Sequence, residues 1–203
     1  MKRCPGFEEA KNGDIDAAHF VVNRCVKENR IRDFREEYAE SFVVPVINRN
    51  ALPLALAQTI GLKLWDKMKL TDTVPRKSLY AIQRLKHEPT FTGHVEKDMP
   101  YIIVDDIVTQ GGTVSALRKH IIINGGKVVA VVALAYAIGS HRIAPTKDIR
   151  IRLFTKFGGS IRQLQELGLV SSFEELTYSQ AKYLLRFSSV RNIRAKLMEL
   201  DDP

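Results

Sequence analysis

Cysteine is nearly absent: Cys4 and Cys25 are the only two in 203 residues. Two thiols make neither a disulfide framework nor a metal site. Cys25 lies among apolar residues at helical spacing, which predicts a packed thiol. No apolar run reaches the length of a membrane span; the longest, Val128 to Ile138, has the length of a strand. The opening Met1-Lys2-Arg3-Cys4-Pro5 leads into no apolar h-region, so no secretory signal is expected and a reducing, cytoplasmic setting fits. Blocks of like charge are missing too, although the net charge is +8. A basic balance suits nucleic acid or small anionic substrates, and its dispersion along the chain favours the second. No internal repeat or low-complexity segment occurs.

Two nucleotide-binding patterns are also missing. The glycine pair Gly111-Gly112 is followed by no lysine, so the GxxxxGK[ST] loop is excluded, and GxGxxG does not occur there. What stands in their place is the stretch Tyr101-Ile102-Ile103-Val104-Asp105-Asp106-Ile107-Val108-Thr109-Gln110-Gly111-Gly112-Thr113. Four strand-forming residues lead into two adjacent carboxylates. A tight loop of Thr, Gln, two Gly and Thr follows, then a helical pattern from Val114 to Ile123. Ligands bind beyond the carboxyl ends of strands in open parallel sheets. Carboxylates accept hydrogen bonds from vicinal sugar hydroxyls. Backbone N–H groups of a glycine loop at a helix N-terminus wrap a phosphate. The combination predicts a seat for a phosphorylated sugar, although an acid pair or a Gly-Gly alone is more often just a turn.

The remaining chain supplies a frame for that seat. Asp14 predicts the cap of a helix from about Ile15 to Asn29, with Ala18, Val21, Val22, Cys25 and Val26 on its apolar face. Residues 30–40 are highly charged and read as more helix or a solvated connector. Phe42 to Ile47 reads as a strand, Leu52 to Ile60 as a helix with Pro53 in its first turn and Gly61 at its end, and Leu62 to Trp65 as a short strand. Lys67 to Asp98 is long, polar and basic, with a possible helix at 78–85; such a connection is usually functional. Val128 to Ala137 reads as a buried strand, and Ile149 to Phe154 alternates like a half-exposed one. Ser172 with Glu175, and Thr177 with Gln180, have capping-box spacing, and helices are expected to run on to Leu200. Buried strands alternating with helices predict an α/β fold with a central, mostly parallel sheet flanked by helices. The expected organisation is a lead-in over 1–40, a core over 41–156 and a helical C-terminal appendage over 157–203.

The stretch Ile102 to Thr113, IIVDDIVTQGGT, resembles the phosphoribosyl pyrophosphate (PRPP) motif of type I phosphoribosyltransferases. The order of elements from Phe42 to Phe154 is similar as well, and Gln83 to Val95 resembles the competence-associated branch of that family. The resemblance implies that Asp105 and Asp106 hold the ribose hydroxyls and, indirectly, Mg²⁺. It implies that Thr109, Gln110, Gly111, Gly112 and Thr113 cradle the 5′-phosphate. Asn48, Arg49 and Asn50 would form the pyrophosphate turn, although many members have glycines there and this chain has none. Arg76, Lys77 and Arg84 would belong to the mobile loop that closes over the reaction. Purine-salvage members carry an acid where this chain has Thr109, so the pattern is nearer to orotate-type or competence-type members. The implied activity is transfer of phosphoribosyl from PRPP to a nitrogenous acceptor with release of pyrophosphate. A PRPP synthetase relative is disfavoured, since such enzymes have two related domains. Ser140, His141 and Arg142 are candidates to reach the substrate. The alternative is a non-catalytic regulator that senses PRPP and uses its basic surface and helical tail, with Arg186, Arg191 and Arg194, on nucleic acid or a protein partner. A homodimer is the default expectation for such folds.

Overall fold

A computed structural model describes residues 4–47, 49–71, 79–137 and 142–201. The chain divides into two compact bodies. One comprises residues 1–72, 90–108 and 116–136, the other residues 73–89, 109–115 and 137–203.

The first body is built on a four-stranded sheet. Strands β1 (Phe42–Pro45), β2 (Lys63–Leu64), β5 (Pro100–Val108) and β6 (Lys127–Tyr136) run parallel in the order β2-β1-β5-β6. Parallel neighbours need crossover helices. Helix α4 (Leu52–Ile60) joins β1 to β2, and α6 (Gly112–Ile123) joins β5 to β6. Pro53 sits in the first turn of α4, and Gly61 ends it at φ 72°, a conformation that favours glycine. Strands β3 (Met68–Leu70) and β4 (Phe91–Gly93) pair antiparallel in a second, two-stranded sheet.

Helices α1 (Phe7–Lys11) and α2 (Ile15–Cys25) share one apolar cluster with α4 and with Val43, Ile102 and Val104 of the sheet. Asp14 caps α2 by accepting from the Ala17 N–H at 2.9 Å. The helix stops at Cys25 rather than Asn29, because Val26 is extended, and α3 (Glu28–Glu37) follows. Cys25 is exposed, not packed; Ala18, Val21 and Val22 carry the buried face. Elsewhere in this body, Tyr101 packs against Phe42 and Trp65, at ring distances of 5.5 and 6.0 Å. A Cβ on Gly126 would come within 2.8 Å of both Tyr101 and Ile121, so that turn tolerates only glycine.

Strand β6 is the sheet's edge, and its side chains are half-exposed rather than buried. Its unbroken apolar run resembles that of a central strand, and only strand order tells the two apart.

The second body is helical: α5 (Gln83–Lys86), α7 (Lys147–Phe157), α8 (Ile161–Glu166), α9 (Tyr178–Leu184) and α10 (Val190–Asp201). Its core joins Ile82 and Leu85 to Leu153, Phe157, Leu164, Phe173, Leu184 and Ile193. The alternating stretch Ile149 to Phe154 lies inside α7 and is not a strand. Ile149, Leu153 and Phe157, four residues apart, form its buried stripe, while Ile151 and Phe154 are 54% and 48% exposed. Thr146 caps the helix, accepting from the Ile149 N–H at 3.4 Å. Of the two capping boxes expected, Thr177/Gln180 forms with both arms, whereas Ser172/Glu175 starts no helix.

Candidate functional site

Strand order reverses between β1 and β5: β1 leads through α4 to one side and β5 through α6 to the other. That reversal places a crevice beyond the carboxyl ends of the two strands. Both acids lie at that end of β5, but the strand continues past them, with Asp105 opposite Ala133 and Val108 opposite Tyr136. A continuing strand sends neighbouring side chains to opposite faces. Asp106 points inward and is 6% exposed, whereas Asp105 is partly buried. Of the two acids, Asp106 is therefore the one turned away from solvent. The Asp105 carboxylate accepts from the Asp106 N–H at 2.8 Å. Burial, and then the charge of Asp106, push the Asp105 carboxyl up to about 7; that hydrogen bond and the Lys11 charge oppose the rise.

Helix α1 spans the crevice. Lys11, its last residue, donates from Nζ to Asp106 Oδ2 in an ion pair that is largely buried, with side-chain exposures of 17% and 8%. The preceding carbonyl, Ala10 O, accepts from the Ala51 N–H at 3.0 Å. One turn of α1 thus reaches the end of β5 and the start of α4.

At the start of α4 the first N–H groups are engaged within the chain. Ala51 N–H is taken by Ala10, Leu52 N–H donates to Asn50 Oδ1 at 3.1 Å, and Pro53 has no N–H. Asn48 lies outside the described residues. Arg49 is exposed and, with Gly13, Ile15, Ile47, Asn50, Ala51 and Leu54, lines a cavity of about 160 Å³.

The glycine loop belongs to the helical body. Thr109 is exposed, Gln110 and Thr113 are partly buried, and Gly111 and Gly112 are buried. Gly111 adopts φ 73°, in the left-handed region that glycine reaches without strain. Helix α6 begins at Gly112, two residues before the expected start, and the Ser115 N–H donates to Gly111 O at 2.8 Å. Thr177, fully buried at the start of α9, donates its hydroxyl to Gln110 O at 2.5 Å and accepts from the Gln180 N–H at 3.2 Å. A trans peptide carries its C=O and N–H on opposite sides. Holding the Gln110 carbonyl toward α9 therefore turns the Gly111 N–H the other way.

Part of the basic segment lies outside the described residues. Arg76, Lys77, Ser140 and His141 lie outside the described residues. Arg84 donates from Nε to Leu79 O at 3.0 Å, beside its own short helix. Arg142 stacks over Tyr178 with its guanidinium 5.6 Å from the ring centre, and Lys182 lies 5.5 Å from the same ring. Sequence reasoning missed Lys11 and the loop-holding role of Thr177. Thr177 left a trace in its capping-box spacing; Lys11 left none, because its partner is 95 residues away.

Among the described residues, no group of three or more His, Cys, Asp or Glu side chains is arranged to hold a metal ion. With Asp106 already engaged by an ammonium, the acid pair does not fit a resident Mg²⁺. No helix is long and apolar enough to cross a membrane among the described residues.

No protein-family model matches the chain. Protein TraN of Escherichia coli is 28% identical over 204 residues, covering 95% of this chain and 46% of TraN. An uncharacterized protein of Haemophilus influenzae is 30% identical over 129 residues, covering 58% of this chain and 29% of that protein. The chain thus spans less than half the length of these curated relatives. Among solved structures it is similar to adenine phosphoribosyltransferase from Saccharomyces cerevisiae (TM-score 0.42, 13% identity, 62% of this chain and 72% of that one). It is also similar to a purine phosphoribosyltransferase from Pyrococcus horikoshii (TM-score 0.40, 21% identity, 57% and 72%) and to UMP synthase of Leishmania donovani (TM-score 0.36, 11% identity, 84% and 33%).

Proposed function

We propose that this chain is a phosphoribosyltransferase-type protein that binds the 5-phosphoribosyl group through the segment Asp105 to Thr113. The carrying observation is the loop peptide between Gln110 and Gly111. Thr177 fixes its carbonyl, and a left-handed Gly111 lets the backbone close at the start of α6. Such a loop suits a phosphate dianion, because fixed N–H dipoles need no reorganisation when it arrives. Asp105 and Asp106 supply acceptors for ribose hydroxyls.

In the catalytic form of this reading, PRPP is the donor. The C1–O bond to pyrophosphate breaks, a C1–N bond to a nitrogenous acceptor forms, and pyrophosphate carries the electron pair away. Mg²⁺ in that case arrives with the pyrophosphate oxygens. The second form is a non-catalytic regulator that keeps the phosphoribosyl seat and uses its basic helical surface, including Arg142, Arg186, Arg191 and Arg194, on a nucleic acid. The lack of glycine in Asn48-Arg49-Asn50 favours the second form, because close backbone approach to a pyrophosphate is easiest at glycine.

Isothermal titration with PRPP tests the shared half. Binding is expected, with its loss in Asp105→Asn/Asp106→Asn while the variant still melts cooperatively; a folded wild-type protein that binds no phosphoribosyl ligand overturns the reading. Pyrophosphate release across a panel of bases separates the two forms.

A further inference from the structure

Helices α7, α9 and α10 of the helical body pack as one unit. Leu153 and Phe157 of α7, Ala181 and Leu184 of α9, and Val190, Ile193 and Leu197 of α10 are buried in a single cluster. Only residues 185–189 join α9 to α10. Lys156 of α7 donates from Nζ to Leu185 O at 2.9 Å, which fastens that turn to α7. Ser188 and Ser189 hydrogen-bond the Asn192 side chain at 2.8 and 3.1 Å, which ties the turn to the first turn of α10. Two helices on a short turn, braced by a third, are the parts of a helix-turn-helix. Val190, Ile193 and Leu197 turn the apolar stripe of α10 inward. Arg191, Arg194, Ala195 and Met198 are exposed, Met198 at 67%. From Thr177 to Leu200 the chain has Lys182, Arg186, Arg191, Arg194 and Lys196 against a single acid, Glu199. Lys196 pairs with that acid at 2.8 Å, and neither Arg191 nor Arg194 makes an ion pair among the described residues.

We propose that α10 is the reading helix of a helix-turn-helix, laying Arg191, Arg194, Ala195 and Met198 in the major groove of double-stranded DNA while Lys182 and Arg186 meet phosphates. This rests on the nucleic-acid form of the proposed function and names its partner and the residues that read it. The chemistry favours a duplex over a single strand. Single strands are held by stacking their bases on open aromatic faces. Helix α10 has no aromatic residue, and the rings of α9 are occupied: Tyr178 by Arg142 and Lys182, Tyr183 by Arg186 and Phe187. An α-helix enters the major groove of B-DNA, whereas the major groove of duplex RNA is too narrow to read. Arginine pairs with guanine edges there, and small apolar groups such as those of Ala195 and Met198 suit the thymine methyl.

The test uses the full chain. A pool of random-sequence DNA duplexes of about 30 base pairs is put through repeated rounds of selection. Fluorescence anisotropy then compares the selected duplex with its separate strands and with duplex RNA of the same sequence. The pool is expected to converge on a preferred sequence, and the selected duplex to bind about tenfold or more tighter than the single strands or the RNA. Arg191→Gln and Arg194→Gln are each expected to weaken binding by about tenfold and to change the preferred bases. Ala195→Glu, at an exposed helical position, is expected to melt like wild type and to lose binding. Arg162→Gln, on α8 of the same body, is expected to stay within about threefold of wild type. Tighter binding to single strands or to RNA, a pool that does not converge, or folded α10 variants that bind as wild type does would each overturn the reading helix and leave a nucleic-acid role standing. A folded wild-type protein that binds none of these nucleic acids at low salt overturns that role with it.

Discussion

The Thr177 hydroxyl donates to the Gln110 carbonyl oxygen at 2.5 Å, across 67 residues of sequence. The Thr177 hydroxyl oxygen also accepts the Gln180 N–H, so one buried side chain caps α9 and holds the glycine loop. Thr177→Val keeps the shape and removes both hydrogen bonds. It leaves the Gln110 carbonyl and one α9 N–H without this partner, which costs about 1–3 kcal/mol. Thr177→Ser keeps the hydroxyl. Thermal melting is expected to rank wild type above Ser and Ser above Val. Titration with ribose 5-phosphate is expected to show Val losing affinity while Ser retains it. Equal affinity in Val and Ser would reduce Thr177 to a helix cap.

Asp105 gives the protein a pH-dependent stability of unusual sign for a carboxylate. Its folded value of about 7 lies above the ordinary aspartate range near 4. The folded state therefore holds the proton more tightly than the unfolded state does. The stabilisation is fully present below pH 4, declines as pH rises between about 4 and 7, and is lost once pH has passed about 7. Melting temperature is expected to fall between about pH 4 and 7 in wild type, and the slope is expected to flatten in Asp105→Asn. An unchanged slope in the variant would move the titrating group elsewhere.

The sheet and the glycine loop were legible in the sequence because their signals are local. Apolar runs mark β1, β5 and β6, and the glycines mark the loop. Three features were not legible. The edge position of β6 depends on strand order, which no residue of β6 encodes. The β3–β4 pair has only three residues in each strand, too few to show alternation. Helix α7 misleads because Ile149, Ile151 and Leu153 alternate with arginines, while Ile149, Leu153 and Phe157 also satisfy a helical period. The Thr146 cap and the buried stripe decide for the helix.

Helix and strand make opposite demands on neighbouring side chains in that segment. A strand face would bury Ile149, Ile151 and Leu153 together. The helix buries Ile149 and Leu153 and exposes Ile151. Leu153→Ala is expected to cost about 2–5 kcal/mol through the cavity it leaves. Ile151→Ala is expected to stay within about 0.5 kcal/mol of wild type. Denaturant unfolding of the two variants measures both, and similar losses would argue for the strand.

The Lys11–Asp106 pair sets the last test, since its energetics depend on which partner is removed. Lys11→Met strands a carboxylate that is 8% exposed, with a second carboxylate next to it in sequence. Breaking a buried pair in this way costs about 3–5 kcal/mol. Asp106→Leu leaves an ammonium on a flexible four-carbon stem, which reaches water more readily than a strand-borne carboxylate does. Its cost is expected to be smaller. The double variant Lys11→Met/Asp106→Leu removes both charges and replaces them with apolar groups, and such exchanges are often neutral or stabilising. Denaturant unfolding is therefore expected to give a double variant more stable than Lys11→Met alone. Additive losses would show that the two charges are not coupled in solution. The double variant also separates stability from binding: it is expected to fold well and yet to lose affinity for ribose 5-phosphate, because both the acid and its charge partner are gone.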